Sequence, residues 1–476
     1  MHPRVIIAAL KGGSGKTILS LGLVAAWQEK GFKIAPFKKG PDFIDAGWLA
    51  FAAARPCYNL DPFLMNEDQI MASFLSRSDD SDLSLIEGNR GLFDGLDLDG
   101  SSSTAGLAKL LKSPVLLILD VSMTTRTLAA VVKGCQVFDP GVNIAGVILN
   151  RVAGSRQEKL ISAAIEKYCG LPVVGAVPRL KENLFPERHM GLVPFQERDQ
   201  AEKAVSWARK IVQAHLDLDQ IWEIARRSEG EDIGASRDAT SASKAAVSDS
   251  SPRIGFIRDR AFWFYYPENL EQLERMGAVM VEIDAMSAPE LPQVDALYIG
   301  GGFPETQARA LADNGSFRKS LKEEIENGLP VYAECGGFMY LGERLFVDNR
   351  SYPMVGALPV EFVLQERPQG HGYTVLKVAG PNLYYNVGDE LKGHEFHYSR
   401  PVVIQEKGLK FAFNVNRGRG IDGLRDGVCR KNILATYTHV HAAGNPNWAK
   451  GLFRAALSHK KSDKFLKVGK ECLTTQ

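Results

Sequence analysis

Short runs that are apolar almost throughout recur at 4–9, 32–37, 83–86, 115–119, 144–149 and 172–176. Longer segments with helix-like patterning lie between several of them, at 18–29, 124–137 and 157–168. Strands without polar alternation are buried on both faces, and strands that alternate with helices build parallel crossovers. The first half is therefore predicted to be a doubly wound α/β domain with a mainly parallel sheet. A polar helix is predicted over 200–227, followed by 228–252, which is rich in Ser, Ala, Asp and Gly and has no aromatic residue. Such a stretch cannot bury enough apolar area to offset the entropy of ordering it, so a flexible linker is expected.

Apolar strands resume at 253–257, 278–283, 294–299, 329–333 and 433–437, with helices predicted at 266–276 and 445–458. Residues 352–416 read as antiparallel strands and loops. The expected organisation is thus a first domain over 1–227, a linker over 228–252, a second α/β domain over 253–460 and a basic tail over 461–476. A chain of 476 residues also exceeds what one hydrophobic core usually organises.

Composition narrows the field. With 45% apolar residues and a net charge of +1, the chain has no general attraction to nucleic acid or to a membrane surface, so any anionic ligand needs a local cluster. No apolar run approaches membrane-spanning length, and the N-terminus shows no signal-peptide core. The six cysteines, at 57, 135, 169, 335, 429 and 472, are scattered without metal-ligand spacing. A reducing, cytoplasmic setting with at most one or two functional thiols is expected.

Chemistry enters at the end of the first strand, with Leu10-Lys11-Gly12-Gly13-Ser14-Gly15-Lys16-Thr17. Strand, glycine-rich turn, Lys-Thr and helix is the order a phosphate-binding loop requires. The glycines let backbone amides converge on a polyphosphate, Lys16 neutralises its outer oxygens and the Thr17 hydroxyl suits Mg²⁺. Leu10 stands where the usual pattern has its first glycine, and Lys11 resembles the extra lysine of MinD/ParA-like ATPases. After the second strand, Lys38-Lys39-Gly40-Pro41-Asp42-Phe43-Ile44-Asp45 is predicted to present two lysines and two aspartates on a loop. Asp42 and Asp45 suit Mg²⁺ or a carboxylate's proton, and the lysines suit phosphate or substrate carboxylates. Glu87, ending the strand at 83–86, is the candidate magnesium-holding acid, with Asp94 in support. Asn150 sits at a strand end where adenine is often read. Arg179, Arg188 and His189 are basic side chains that either face an anionic substrate or line a surface loop.

In the second half, Gly300-Gly301-Gly302-Phe303 follows a strand and leaves amides available for an oxyanion. Cys335, in Glu334-Cys335-Gly336-Gly337, stands between strand and helix as at a nucleophile elbow, where the helix N-terminus is expected to lower the thiol pKa. His439 is its expected base and His441 the runner-up. The run Gly393-His394-Glu395-Phe396-His397-Tyr398-Ser399 has metal-like spacing but no third cluster, so substrate or domain contacts are favoured.

Taken together and in this order, the motifs at 38–45, 87–95, 186–189, 300–305, 334–337 and 393–399 resemble the cobyrinate a,c-diamide synthase family, over nearly the whole chain. The resemblance implies a dethiobiotin-synthetase-like, P-loop NTPase-type domain joined to a class I glutamine amidotransferase domain. It implies glutamine hydrolysis at Cys335 with His439 as base and the amides of Gly301, Gly302 and Phe303 around the oxyanion. It implies ATP on Lys11 to Thr17 and Asn150, Mg²⁺ on Thr17, Asp45 and Glu87, and an acyl phosphate on a tetrapyrrole carboxylate near Lys39, Asp42, Asp94 and Arg188. Ammonia then displaces the phosphate, first on one acetate side chain and then on a second. The usual triad ends His-x-Glu, whereas here the third position is His441. Asn89-Arg90 and the segment 366–373 are similar to siroheme amidases, which leaves cobyrinate, hydrogenobyrinate, nickel-sirohydrochlorin and siroheme as substrates, and a homodimer, open. The alternative of another class is a MinD/ParA-like ATPase switch, which gives Cys335 and His439 no task.

Overall fold

Strand β1 (Arg4–Ala9) has all six residues buried, as a strand covered on both faces must. It lies inside a seven-stranded sheet with β2 (Ile34–Lys39), β3 (Tyr58–Leu60), β4 (Leu83–Glu87), β5 (Val115–Asp120), β6 (Ile144–Val152) and β7 (Val173–Pro178). The order is β3-β2-β4-β1-β5-β6-β7, with every pair parallel. The computed structural model describes residues 2–180, 185, 187–188, 191–192, 198–230, 246, 248–404 and 408–473. The chain divides into two compact units, Met1–Ser241 and Ala242–Gln476.

Helices α1 (Lys16–Glu29), α2 (Phe43–Ala53), α3 (Glu67–Ser78), α4 (Thr104–Leu110), α5 (Thr127–Phe138), α6 (Ser155–Cys169), α7 (Arg198–His215) and α8 (Leu218–Arg226) complete the first unit. Leu19, Leu23, Trp27, Trp48, Ala204, Val212 and Ile221 pack into one core with the sheet residues Val5, Ile7 and Ile118. Gly22 is small because α7 crosses there: a Cβ would lie 2.5 Å from the Ala208 carbonyl oxygen.

Three expectations need correction. The lysines at 38 and 39 finish β2 and are buried, because the chain turns at Gly40, with φ of 88°, and not before. Asp42 then caps α2 by accepting from the Asp45 amide at 2.9 Å. The single helix predicted over 200–227 is two, since Leu216 pairs with Gly175 at the sheet edge and Asp217 caps a new helix. Ser228, at the head of the expected linker, is buried and accepts from the Arg4 backbone amide at 3.1 Å, and helical structure runs on to Gly230. Residues 231–245, the middle of that segment, lie outside the described residues, as do Pro186, His189 and Pro194.

The second unit is built on a ten-stranded mixed sheet. Its first half is parallel, in the order Val279–Ile283, Arg253–Ile257, Ala296–Ile299, Val331–Glu334 and Ile433–Thr436. Its second half is antiparallel, through Arg425–Arg430, Lys410–Arg417, Gly370–Val378 and Glu390–His397 to His439–Val440. The segment 433–440 therefore pairs with Val331–Glu334 at its start and with Glu390–His397 at its end. This detour swings His439 out of the parallel half. A final helix, Pro446–Leu473, carries on into the segment that reads as a basic tail.

Asp426 holds the bend. Its buried carboxylate accepts from Thr436 Oγ1 at 2.7 Å, from the Tyr437 amide at 3.2 Å and from the Gly427 amide at 2.8 Å. Burial outweighs these bonds and pushes its pKa up from 3.8 to about 6. A raised carboxyl pKa contributes stability that is complete below the unfolded value and lost as pH rises through the folded one. Asp426→Asn lacks that dependence. Its melting temperature relative to the wild type is therefore expected to improve between pH 4 and pH 7, by the equivalent of up to about 3 kcal/mol; a pH-independent difference would contradict this.

Candidate active site

In the first unit, the loop after β1 is shaped by Gly13 and Gly15, both left-handed, with φ of 70° and 97°. Ser14 and Lys16 are buried while Lys11 is exposed. Lys16 Nζ donates to the Arg90 carbonyl at 2.8 Å, which ties the loop to the turn after β4. Two residues at the end of β6 brace it from the other side. The Asn150 amide donates to the Ser14 carbonyl at 2.8 Å, and Arg151 bridges the Gly13 carbonyl at 3.0 Å and Asp120 at 2.6 Å. Asn150, expected at adenine, thus has its side-chain NH₂ on the loop backbone and its oxygen on the Arg151 amide.

Three oxygen-bearing side chains from separate elements meet just below. Thr17 Oγ1 donates to Glu87 Oε1 at 2.8 Å and lies 3.3 Å from Asp45 Oδ2. The parallel register makes this possible, since Glu87 is level with Ile7 of β1 and with Lys38 of β2. Lys38, which the sequence suggests for phosphate or a substrate carboxylate, instead places its ammonium 2.6 Å from Asp45 Oδ2 and 2.8 Å from Glu87 Oε1. Burial alone would push Lys38 down, but the two carboxylates reverse this and hold its pKa above the ordinary value. Asp42 is pushed up to about 7 by burial and by the charge of Asp45. Glu87 Oε2 is buried and has no hydrogen-bond partner in the structure. Two carboxylates and a hydroxyl, one carboxylate oxygen still unspent, are hard donors that fit Mg²⁺.

The other candidates lie around this cluster. Lys39 is buried beside Asp61. Asp94 is exposed and accepts from the Gly91 amide at 2.8 Å, closing a turn. Arg188 belongs to a short pair of strands, Glu187–Arg188 with Gly191–Leu192, and its side chain is outside what is described. Arg179 is exposed at the end of β7.

In the second unit, Cys335 stands between the strand Val331–Glu334 and the helix Gly336–Leu341, in a strained backbone conformation with φ of 47° and ψ of −100°. Its amide donates to the Thr436 carbonyl at 2.7 Å, which pins the corner to the strand that leads to His439. The glycine loop lies alongside: a Cβ on Gly336 would be 3.1 Å from the Gly302 amide nitrogen, and one on Gly301 would be 3.1 Å from His439 Nε2. Gly302, with φ of 152°, has no room for a side chain against the Ala261 carbonyl. Gly300 differs from its neighbours, since its amide donates to Tyr265 Oη at 2.8 Å.

The expected drop in the thiol pKa is not found. Cys335 is 3% exposed, and burial together with the Glu305 carboxylate pushes the thiol well above its ordinary value, against a smaller contribution from the Gly336 amide. The helix beyond it has only six residues. Burial thus favours the neutral thiol over the thiolate.

Sequence reasoning also missed the partner of the histidine. Glu334, directly before Cys335, is buried and lies 3.2 Å from His439 Nδ1, while its other oxygen accepts from the Val440 amide at 3.3 Å. Tyr298 Oη donates to it at 3.2 Å. His439 also stacks on His394, with ring centres 5.0 Å apart. His441 is directed elsewhere: its Nδ1 accepts from the Ala443 amide, and its ring packs on Tyr266 toward Glu268, 3.6 Å away. Glu395 accepts from the Arg419 and Gly420 amides, and His397 stacks on Tyr437 at 3.6 Å.

Known families divide the chain as the fold does. A model of the CobQ/CobB/MinD/ParA nucleotide binding domain matches residues 5–193, and one of the CobB/CobQ-like glutamine amidotransferase domain matches residues 253–447. The cobyrinate a,c-diamide synthase of Magnetococcus marinus is 42% identical over 452 residues, covering 95% of this chain and 97% of that protein. The chain belongs to the cobyrinate a,c-diamide synthase family. The synthase of the same name from Archaeoglobus fulgidus is 40% identical, with 96% of this chain and 98% of that protein covered. A solved glutamine amidotransferase aligns with a TM-score of 0.33 at 20% identity, over 43% of this chain and 98% of its own. As in the sequence reading, the family's two parts are present on one chain. Among the described residues no helix is long and apolar enough to cross a membrane.

Proposed function

We propose that this chain converts cobyrinate to its a,c-diamide, using ATP and glutamine. The observation that carries the reading is one polypeptide bearing both a phosphate loop with a Thr17–Asp45–Glu87 cluster and a cysteine elbow whose preceding residue, Glu334, meets His439, in a chain 42% identical to a named cobyrinate a,c-diamide synthase.

In the second half, His439 takes the Cys335 proton as the sulfur attacks the side-chain amide carbon of glutamine. The amides of Gly301, Gly302 and Phe303 are the donors for the oxyanion. The histidine returns the proton to the departing ammonia, and water then cleaves the thioester to glutamate. In the first half, a peripheral acetate of the macrocycle attacks the γ-phosphorus of ATP, releasing ADP and forming an acyl phosphate. Ammonia adds to the acyl carbon and phosphate leaves, a far better leaving group than the original oxygen. Thr17, Asp45 and Glu87 would hold Mg²⁺, which offsets the charge of the triphosphate. Lys11 to Thr17 hold the phosphates and Asn150 braces that loop through the Ser14 carbonyl, while Lys39, Asp42, Asp94 and Arg188 are assigned to the carboxylate-bearing substrate. A second cycle on another acetate completes the diamide.

The test offers cobyrinate and siroheme side by side with ATP, Mg²⁺ and glutamine and weighs the products. Two amidations on cobyrinate are expected. Amidation of siroheme alone would move the substrate to the other macrocycle, and ATP-dependent dimerisation without any amidation would favour a nucleotide switch.

A further inference from the structure

One buried cation in the nucleotide half has no counterpart in the mechanism above. Lys38 is 1% exposed, and its ammonium lies on the same two oxygens, Asp45 Oδ2 and Glu87 Oε1, that the Thr17 hydroxyl touches. Its place is set by the sheet and not by a flexible loop, because Lys38 and Glu87 are register partners at the ends of adjacent strands. Asp45 is fixed in turn by the first turn of α2, which Asp42 caps. The second oxygen of Glu87 remains unpartnered in this buried pocket.

We propose that Lys38 is a tethered counter-cation that occupies the magnesium position of the nucleotide site and yields it only when metal and nucleotide arrive together. The inference rests on the ATP-site reading and deepens it. Two carboxylates facing each other without a cation would be costly in a buried site, and one ammonium neutralises half of their charge. A divalent ion seeks the same hard oxygens. The ion and the ammonium cannot share them, since like charges at contact distance in a buried site repel strongly. If metal came alone, Lys38 would have to leave a paired position for an unpaired one. A triphosphate removes that obstacle by offering new anionic oxygens to the displaced ammonium and to the ion at once. Metal and nucleotide should therefore bind with positive coupling, and the coupling must be reciprocal.

The test measures Mn²⁺ binding by electron paramagnetic resonance, without nucleotide, for the full-length wild type and for Lys38→Met. The variant is expected to bind one Mn²⁺ at least about ten-fold more tightly than the wild type, a gain that Lys38→Met combined with Glu87→Gln loses. Equal affinity of wild type and Lys38→Met would overturn the proposal. Should Lys38→Met not fold, thermal melting of the wild type decides. Mg²⁺ alone should leave the melting temperature unchanged while Mg²⁺ with a non-hydrolysable ATP analogue raises it. An equal rise with Mg²⁺ alone overturns the role of Lys38 but leaves the ATP site standing, whereas no rise with the analogue removes the ATP-site reading and this inference with it.

Discussion

Cys335→Ala is expected to lower glutamine-driven amidation by at least about 10³-fold while ammonia-driven amidation is retained. The sulfur is the nucleophile proposed for glutamine, and among the described residues no other cysteine stands at a strand-to-helix corner. Cys57, Cys135 and Cys169 lie in the first unit, and Cys429 is in a strand facing the core. Truncating one buried sulfur leaves the strand Val331–Glu334 and its pairing intact, so the fold should persist. Ammonium chloride at alkaline pH then supplies directly what the second half would have released, and the first half should consume it with an unchanged KM for ATP. Loss of both activities in a folded protein would refute the division of labour between the halves.

Much of the fold could be read before any coordinates because its main signals are local. Six of the seven strands in the first sheet are apolar runs bounded by turn residues, and burial on both faces of a parallel sheet leaves no other composition open to them. Tyr58–Leu60 is illegible in the sequence because three residues carry no pattern. The break between α7 and α8 was equally illegible: Leu216 leaves the helix to pair with Gly175, some forty residues earlier in the chain. The antiparallel half of the second sheet was legible only as strands and loops, since its order depends on pairings between distant segments.

The candidate sites divide in the same way. Thr17 and Glu87 each end or begin an element at a position that chemistry singles out, and the structure brings them to 2.8 Å. Lys38 stood in plain view but was assigned to a loop, and its meeting with Glu87 is a matter of strand register across some fifty residues. Asp42 has a structural task that its motif does not announce, since an aspartate after a proline suits a ligand and a helix cap equally and here its side chain caps α2. For Cys335 the corner geometry is legible and the electrostatics are not, because burial in the folded core and the charge of Glu305, which is distant in the chain, raise the thiol.

Glu334→Gln is expected to reduce glutamine hydrolysis by about 10²–10⁴-fold, with the KM for glutamine nearly unchanged and ammonia-driven amidation intact. Glu334 acts through His439 and not on glutamine: its carboxylate meets His439 Nδ1 at 3.2 Å, on the opposite side of the ring from the Nε2 that lies over Gly301. A carboxylate there fixes the tautomer with the proton on Nδ1, makes Nε2 the nitrogen that accepts the thiol proton, and stabilises the imidazolium that forms. Glutamine in its place can still hydrogen-bond but carries no charge and can turn its NH₂ toward the ring, which favours the wrong tautomer. The need is greater because the Cys335 thiol is held well above its ordinary pKa, so little thiolate exists before the base acts. Tyr298→Phe, which removes only the hydroxyl that donates to Glu334 at 3.2 Å, should cost less, about ten-fold or below. The ordering of the two variants is the decisive readout. If Glu334→Gln left glutamine hydrolysis within a few-fold of the wild type, orientation of His439 would have to come from its ring contacts, with His394 and Phe264 among them, and the carboxylate beside the nucleophile would be a packing residue.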